Sequence, residues 1–249
     1  MYAPLTFAGN QPFNDWFAPD TTQRHPLGLR IQAVDEFWGH GEFMYIKSND
    51  AILKGSLVAY GGAATALGVA TSFLGVLLPS TAGQGFPFGV AMAPMASGTF
   101  GWIMLSGTAV YKTSATVAAD TVVGIGAAGV VAANSAGKQL VGVRNTVAAT
   151  GTNTAYASTT TGTAAVVCQA GYQGFFLGMA LSGTGIPAST VVARLDPDGR
   201  TIWTGSAIGT VGDKLSTASG LITLTGTYTG YGQGQINRPL SLIHICKPC

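Results

Sequence analysis

The sequence predicts an all-β protein: a small β-barrel or sandwich domain with an extended N-terminal arm and a second, smaller β module. Three observations point there. Short apolar runs rich in β-branched residues are each bounded by glycine, Asn-Asp or Ser-Gly, the spacing of strands and turns rather than of strands alternating with helices. Glycine is abundant, at 36 of 249 residues. Only 9% of residues are charged while 47% are hydrophobic, so hydroxyls and backbone carry the surface of a chain with ample material for a core.

Residues 1–35 carry Phe7, Phe13, Trp16 and Phe17 among Pro4, Pro12, Pro19 and Pro26. Prolines at this density exclude a long helix, and exposed rings cost free energy, so this extended arm is expected to pack back on its own domain or to lie on a neighbouring subunit. A barrel core is expected over 36–150, built from "GEFMYIKS", "GSLVAYG", "FPFGVAMA", "FGWIMLSGTAV", "DTVVGIG", "GVVAANS" and "QLVGVRN". "NSAGK", around Gly137, reads as a hairpin turn. The Thr-rich stretch 151–164 reads as a linker or loop. A β module follows over 165–227, where "TVVARL", Asp-Pro-Asp-Gly at 196–199 and "RTIWTG" form a hairpin. "GLITLTGTYTG" supplies a further strand, and 228–239 is expected to close the core.

No charged residue falls between Lys54 and Lys112, and residues 55–78 are long enough to span a bilayer as a helix. Against a membrane span near 55–78 stand five glycines, several hydroxyl residues and the lack of flanking basic clusters or aromatic belts. Strands buried on both faces account better for such runs. The start of the chain lacks a basic segment and an apolar stretch before a cleavage site, so no secretory signal is expected and the product stays in the cytoplasm where it is made. A formal net charge of +2 without basic runs gives no electrostatic footprint for nucleic acid.

Gly124, Gly126 and Gly129 have the spacing of a dinucleotide-binding loop. That site also needs a following helix and an acidic residue about 20 positions on, yet no Asp or Glu occurs between Asp120 and Asp196, so a β-turn is expected. There is no nucleophile elbow. Among the histidines, His25 precedes Pro26 in the arm, and His40 lies near Asp35, Glu36 and Glu42 in a pattern that matches no familiar metal-ligand spacing. Asp196 and Asp198 are explained by their turn, which leaves no carboxylate pair for glycoside hydrolysis. Cys168 is expected to be a small buried apolar residue. No enzyme activity, cofactor or metal is expected.

The C-terminal "HICKPC" contains a Cys-x-x-Cys pair beside His244. Leu240 to Ile245, however, read Leu-Ser-Leu-Ile-His-Ile, which one frame of the transposase mosaic-end adapter of sequencing libraries encodes. Residues 240–249 are therefore expected to be adapter-derived, with the natural sequence ending near Arg238 or Pro239.

Residues 25–61, then "FPFGVAMAPMASGTFGWIMLSGTAVYKTSATVAADTVVGIGAAGVV", "LVGVRN" and the closing "INRP", resemble the small β-barrel head decoration, or cement, proteins of tailed bacteriophages. In that family a Gly-Glu-Phe strand opens the domain, an apolar-Gly-Val-Ala strand follows, and a Gly-Trp strand runs into Gly-x-Ala-Val. The resemblance spans about 25–150 and 228–239, with 151–227 as an insertion. It implies a virion structural protein that binds the outside of an assembled capsid as a homotrimer, with the major capsid protein as partner and Phe7, Phe13, Trp16 and Phe17 as contact residues. The insertion looks like small β modules of phage structural proteins. This suggests an alternative, a tail-fibre or receptor-binding protein contacting host glycan through Tyr172 and Trp203. Amplification of the gene's 3′ end from source DNA is expected to diverge from the present codons after Pro239; recovery of "SLIHICKPC" intact would overturn the adapter assignment.

Overall fold

The computed structural model describes residues 3–4, 19–35, 39–61, 73–82, 85–114, 117–148, 150–172, 174–196, 198–207 and 210–241. They contain strands and turns and no helix, as the sequence predicts, and they divide into two units, one of them Thr150–Thr229 and the other the remainder of the chain from Tyr2. No helix among them is long and apolar enough to cross a membrane.

The larger unit is an eleven-stranded sheet. Its strands are β1 (Ala3–Pro4), β2 (Arg30–Asp35), β3 (Gly39–Ser48), β4 (Leu57–Ala59), β5 (Leu74–Leu77), β6 (Phe88–Ala91), β7 (Phe100–Lys112), β8 (Val122–Ile125), β9 (Val131–Ala133), β10 (Gln139–Val147) and β17 (Tyr231–Ser241). They are ordered β1-β2-β3-β5-β4-β6-β7-β17-β10-β8-β9, and a further β3–β7 pairing closes β3, β5, β4, β6 and β7 into a ring. The long β7 makes this possible: Phe100–Ser106 pairs with β3, Met104 and Ile103 also pair with β6, and Ser106–Lys112 pairs with β17.

Side-chain alternation distributes these strands between two cores. Phe43 and Tyr45 of β3, Leu57 and Ala59 of β4, Phe88 and Val90 of β6, and Trp102 and Met104 of β7 share one cluster. Met44, Ile46, Val58, Ala91, Ile103 and Leu105, from the alternate positions, form another with Ile52 and Met95. Burial on both faces is why these segments read as unbroken apolar runs.

The Thr150–Thr229 unit is a closed barrel of six strands in the order β11-β12-β15-β14-β13-β16. These are β11 (Thr150–Thr159), β12 (Ala165–Cys168), β13 (Ala180–Ser182), β14 (Thr190–Leu195), β15 (Thr201–Gly205) and β16 (Gly220–Thr229). The expected hairpin joins β14 to β15, with Leu195 opposite Ile202. Asp198 caps its turn by accepting the N–H groups of Arg200 and Thr201 at 2.8 and 2.7 Å, and Gly199 takes the positive φ of 70° that the turn requires.

Three sequence expectations change. The Thr-rich 151–164 segment is no linker over most of its length, because Thr150–Thr159 pairs along its whole extent with β16. The Gly137 turn forms, with Lys138 N–H donating to Ser135 O at 3.0 Å, but β9 and β10 on either side of it are separated by β8 and are not hairpin partners. Part of the arm is sheet: β1 pairs with β2 through Ala3 opposite Val34 and Pro4 opposite Ala33. Leu240 and Ser241, expected from sequence to belong to an adapter-derived tail, continue β17 against Val141 and Leu140; backbone pairing of this kind makes no demand on side-chain identity.

The glycine of the Gly-Val-Ala motif has a steric reason. A Cβ on Gly89 would stand 2.7 Å from Met104 O and 3.0 Å from the Ile103 side chain, so β6 could not lie against β7. Replacing Gly89 with Ala is expected to cost about 1–3 kcal/mol, read as a lower urea midpoint with an unchanged m-value; an unaltered midpoint would contradict this account.

Candidate functional site

Phe7, Phe13, Trp16 and Phe17 lie outside the described residues. The structure does define the root of the segment that carries them. Asp20 makes a two-way backbone bridge to Phe100, its N–H donating at 2.8 Å and its carbonyl accepting at 2.9 Å. The Tyr45 hydroxyl donates to Asp20 Oδ2 at 2.8 Å, and Arg24 Nε lies 3.1 Å from Asp20 Oδ1. Farther along, Gly28 N–H donates to Tyr45 O and Tyr45 N–H to Leu29 O. Residues 19–29 therefore form a strap across β3 and β7, fastened at both ends to Tyr45.

Aromatic packing fills the strap. His25 is buried, edge-on to Tyr45 at 5.1 Å and tilted against Trp102 at 5.4 Å, while Phe100 stacks parallel to Tyr45 at 6.2 Å. His25 Nε2 has no hydrogen-bond partner among the described residues, and the imidazole packs through its ring contacts. Gly28, at φ 80°, lets the Phe73 ring lie where a Cβ would stand.

Burial raises the Tyr45 phenol to about 12; the Arg24 N–H acts in the opposite direction and the Asp20 carboxylate raises it again. Burial alone lifts Tyr111 still further, and its hydroxyl donates to Asn145 Oδ1 at 2.8 Å. The Cys168 thiol is pushed up to about 11, by burial first and then by the Asp198 carboxylate. It is a buried thiol rather than a thiolate nucleophile at neutral pH.

Elsewhere the chemistry resolves into structure. His40 is exposed and pairs across the ladder with Val34, whereas Glu42 lies opposite Gln32 and is 3.9 Å from Arg30; Glu36 is outside the described residues. No group of His, Cys, Asp and Glu suited to a metal occurs among the described residues. The Gly124–Gly129 segment is the turn of the β8–β9 hairpin, with Gly126 N–H given to Val130 O and Gly129 N–H to Leu78 O, both at 2.9 Å. Those donors are occupied and cannot cradle a phosphate.

Tyr172 and Trp203, named for the glycan-binding alternative although burial is the commoner state of such residues, both have partners within the barrel. Tyr172 is buried and its hydroxyl donates to Asp196 O at 2.6 Å. Trp203 is half-buried, donates its Nε1–H to Asp196 Oδ2 at 2.8 Å, and has the Arg194 guanidinium over its ring at 4.7 Å. Both hold the β14–β15 hairpin. A different tyrosine, Tyr156, stands out from the same barrel at 68% exposure, and sequence reasoning missed it because β11 was not recognised as a strand.

The strap has a pH signature. An unfolded tyrosine releases its proton near pH 10, whereas folded Tyr45 holds it to about 12. Its contribution to stability is fully present below pH 10 and is lost as pH rises through 12. Tyr45→Phe is expected to lower stability at pH 8 by about 1–2 kcal/mol, because Asp20 loses a buried donor, and to fall less steeply between pH 10 and 12. Urea titrations at pH 8, 10 and 11.5 test both statements; identical profiles for the two proteins would refute them. No protein-family model matches this chain, and no curated protein or solved structure is found to be similar to it.

Proposed function

We propose that this chain is a virion structural protein that binds the outer surface of an assembled phage capsid and reinforces it, acting as a homotrimer on the major capsid protein. One observation carries the reading. The short motifs on which the resemblance to cement proteins rests are far apart in sequence but meet on one strand. Gly41-Glu42-Phe43 lies in β3, Phe88-Gly89-Val90-Ala91 is β6, Ile236-Asn237-Arg238-Pro239 lies in β17, and each of these strands pairs with β7. β7 itself contains Gly101-Trp102 and Gly107-Thr108-Ala109-Val110. This adjacency supports the reading.

The strap supports the same reading. A segment rich in Phe and Trp gains affinity from apolar burial at about 25 cal/mol per Å², less the cost of ordering it. The residues on either side of it are held, Ala3–Pro4 on β2 and Asp20 on Phe100. Trimerisation would then add contacts through effective concentration.

The decisive measurement is copy number in purified virions. On the order of hundreds per particle is expected of a cement protein occupying symmetric sites, whereas a handful would favour the tail-fibre alternative and overturn the proposal. A chain lacking residues 1–18, which retains the Asp20 strap, is expected to stay folded and trimeric yet fail to bind capsids. Undiminished binding would remove the arm from the mechanism.

A further inference from the structure

The face of the Thr150–Thr229 barrel formed by β11, β12, β13 and β16 is regular, carries no charged side chain of its own and has an aromatic ring at its centre. β11 and β16 pair throughout, so the outward residues meet as Thr150 with Thr229, Thr152 with Thr227, Thr154 with Thr225, Tyr156 with Thr223 and Ser158 with Leu221. β12 places Val167 beside Ser158, and β13 places Ser182 beside Thr225. Gln169, exposed just past β12, gives its backbone N–H to Tyr156 O at 2.9 Å and flanks the tyrosine on the side away from Thr223. The intervening residues Ala157, Cys168, Ile222 and Leu224 are buried. The ladder thus fixes Tyr156 outward; it is no displaced core residue.

Three properties restrict what this face can receive. Its own strands carry no charge: no ionisable side chain other than a cysteine or tyrosine occurs from Asn145 to Ala193 or from Leu215 to Asn237, and Asp198 and Arg200 stand at its margin, beside Cys168. A charged partner would lose hydration here without an ion pair in return. Its apolar part is small. With Tyr156, Leu221 and Val167 at 68%, 62% and 40% exposure, it amounts to roughly 300 Å², well below the ~800 Å² per partner of a stable protein interface. Finally, the ring is bracketed by groups that both donate and accept hydrogen bonds, the Gln169 amide and the hydroxyls of Thr223, Thr154 and Ser158. Rows repeat at about 7 Å along the strands and about 4.8 Å across them.

We propose that Tyr156, flanked by Gln169 and Thr223, is a shallow binding site for an uncharged polysaccharide. The C–H face of a pyranose lies on the negative face of the tyrosine ring, and its hydroxyls bond to the amide and threonines. Each contact is weak, and copies of the chain displayed together gain through multivalency. The site does not depend on the capsid-binding reading, and it lies at an aromatic residue other than Tyr172 and Trp203.

The test is native affinity electrophoresis of the full chain in gels containing galactomannan, dextran or β-1,3-glucan, with anionic alginate as the charged control. At least one neutral polymer is expected to retard the protein and alginate is not. Tyr156→Ala is expected to weaken retardation about tenfold, Tyr156→Phe to retain most of it, and Gln169→Ala to fall between. Because Tyr156 is exposed, Tyr156→Ala should match the parent in thermal midpoint; Leu221→Ser, at the edge of the same face, serves as a second probe. No retardation in any neutral gel, or equal retardation of Tyr156→Ala, would overturn the proposal. So would sedimentation showing a self-association that Tyr156→Ala abolishes, since the face would then belong to a second copy. Copy number in virions should be unchanged by Tyr156→Ala.

Discussion

The constraint on which the larger unit depends is the backbone of β7. A strand of 13 residues presents donors and acceptors on two edges, and a buried backbone group left unpaired costs as much as a lost hydrogen bond. No single neighbour of β7 is long enough to meet that demand. It is divided among β3 along the first half, β6 at Ile103 and Met104, and β17 along the second half. The β3 pairing closes the ring, and the β17 pairing carries the sheet on to β10, β8 and β9. Close approach on both edges explains why glycine recurs around it. Gly89 faces Met104 O, and Gly107, at φ 118°, faces His40 O.

A chain so poor in charge uses its carboxylates as structural acceptors. Asp20 takes the Tyr45 hydroxyl and the Arg24 guanidinium. Asp50 takes Leu77 N–H at 2.8 Å, Asp196 the Trp203 indole, and Asp213 both Ser206 N–H and its hydroxyl. Asp198 closes its turn and is held below the usual carboxylate range by the Thr201 and Arg200 groups it accepts, against a desolvation effect in the other direction. Each of these acids stabilises a turn or a strap, which is an arrangement suited to a rigid scaffold. The outward threonines of the smaller barrel solvate its surface in their place.

What could be read from sequence was local and periodic. β3, β6 and β7 were legible because glycine-bounded, two-face-buried strands leave apolar runs of the right length. β11 was illegible for the opposite reason: its inward positions include Gly151, Asn153 and Ala155, too small or polar to alternate visibly with threonine. Only its pairing with β16 makes it a strand. The turn at Gly137 was visible from its own chemistry, while the identity of β9's partner depends on β8 folding between β9 and β10. The same limit applies to the aromatics. Composition reveals that Tyr156, Tyr172 and Trp203 exist, but register alone decides that Tyr156 points to solvent while the other two brace a hairpin.

The division into two units also has a physical basis in register. Thr150 and Thr229, the ends of the smaller barrel, face each other in one ladder, and Val147 and Gln233, on either side of it, face each other in another. A module whose own ends are hydrogen-bonded neighbours closes no large loop in the host sheet, so inserting it costs little chain entropy. Its barrel encloses a core of its own, including Phe175, Val192, Ile202 and Leu224. The two roles argued for this chain fall on different units: the strap at Asp20 and the strands around β7 belong to the host unit, and Tyr156 with its flanking amide and hydroxyls belongs to the module, so each is positioned by the ladders of its own unit.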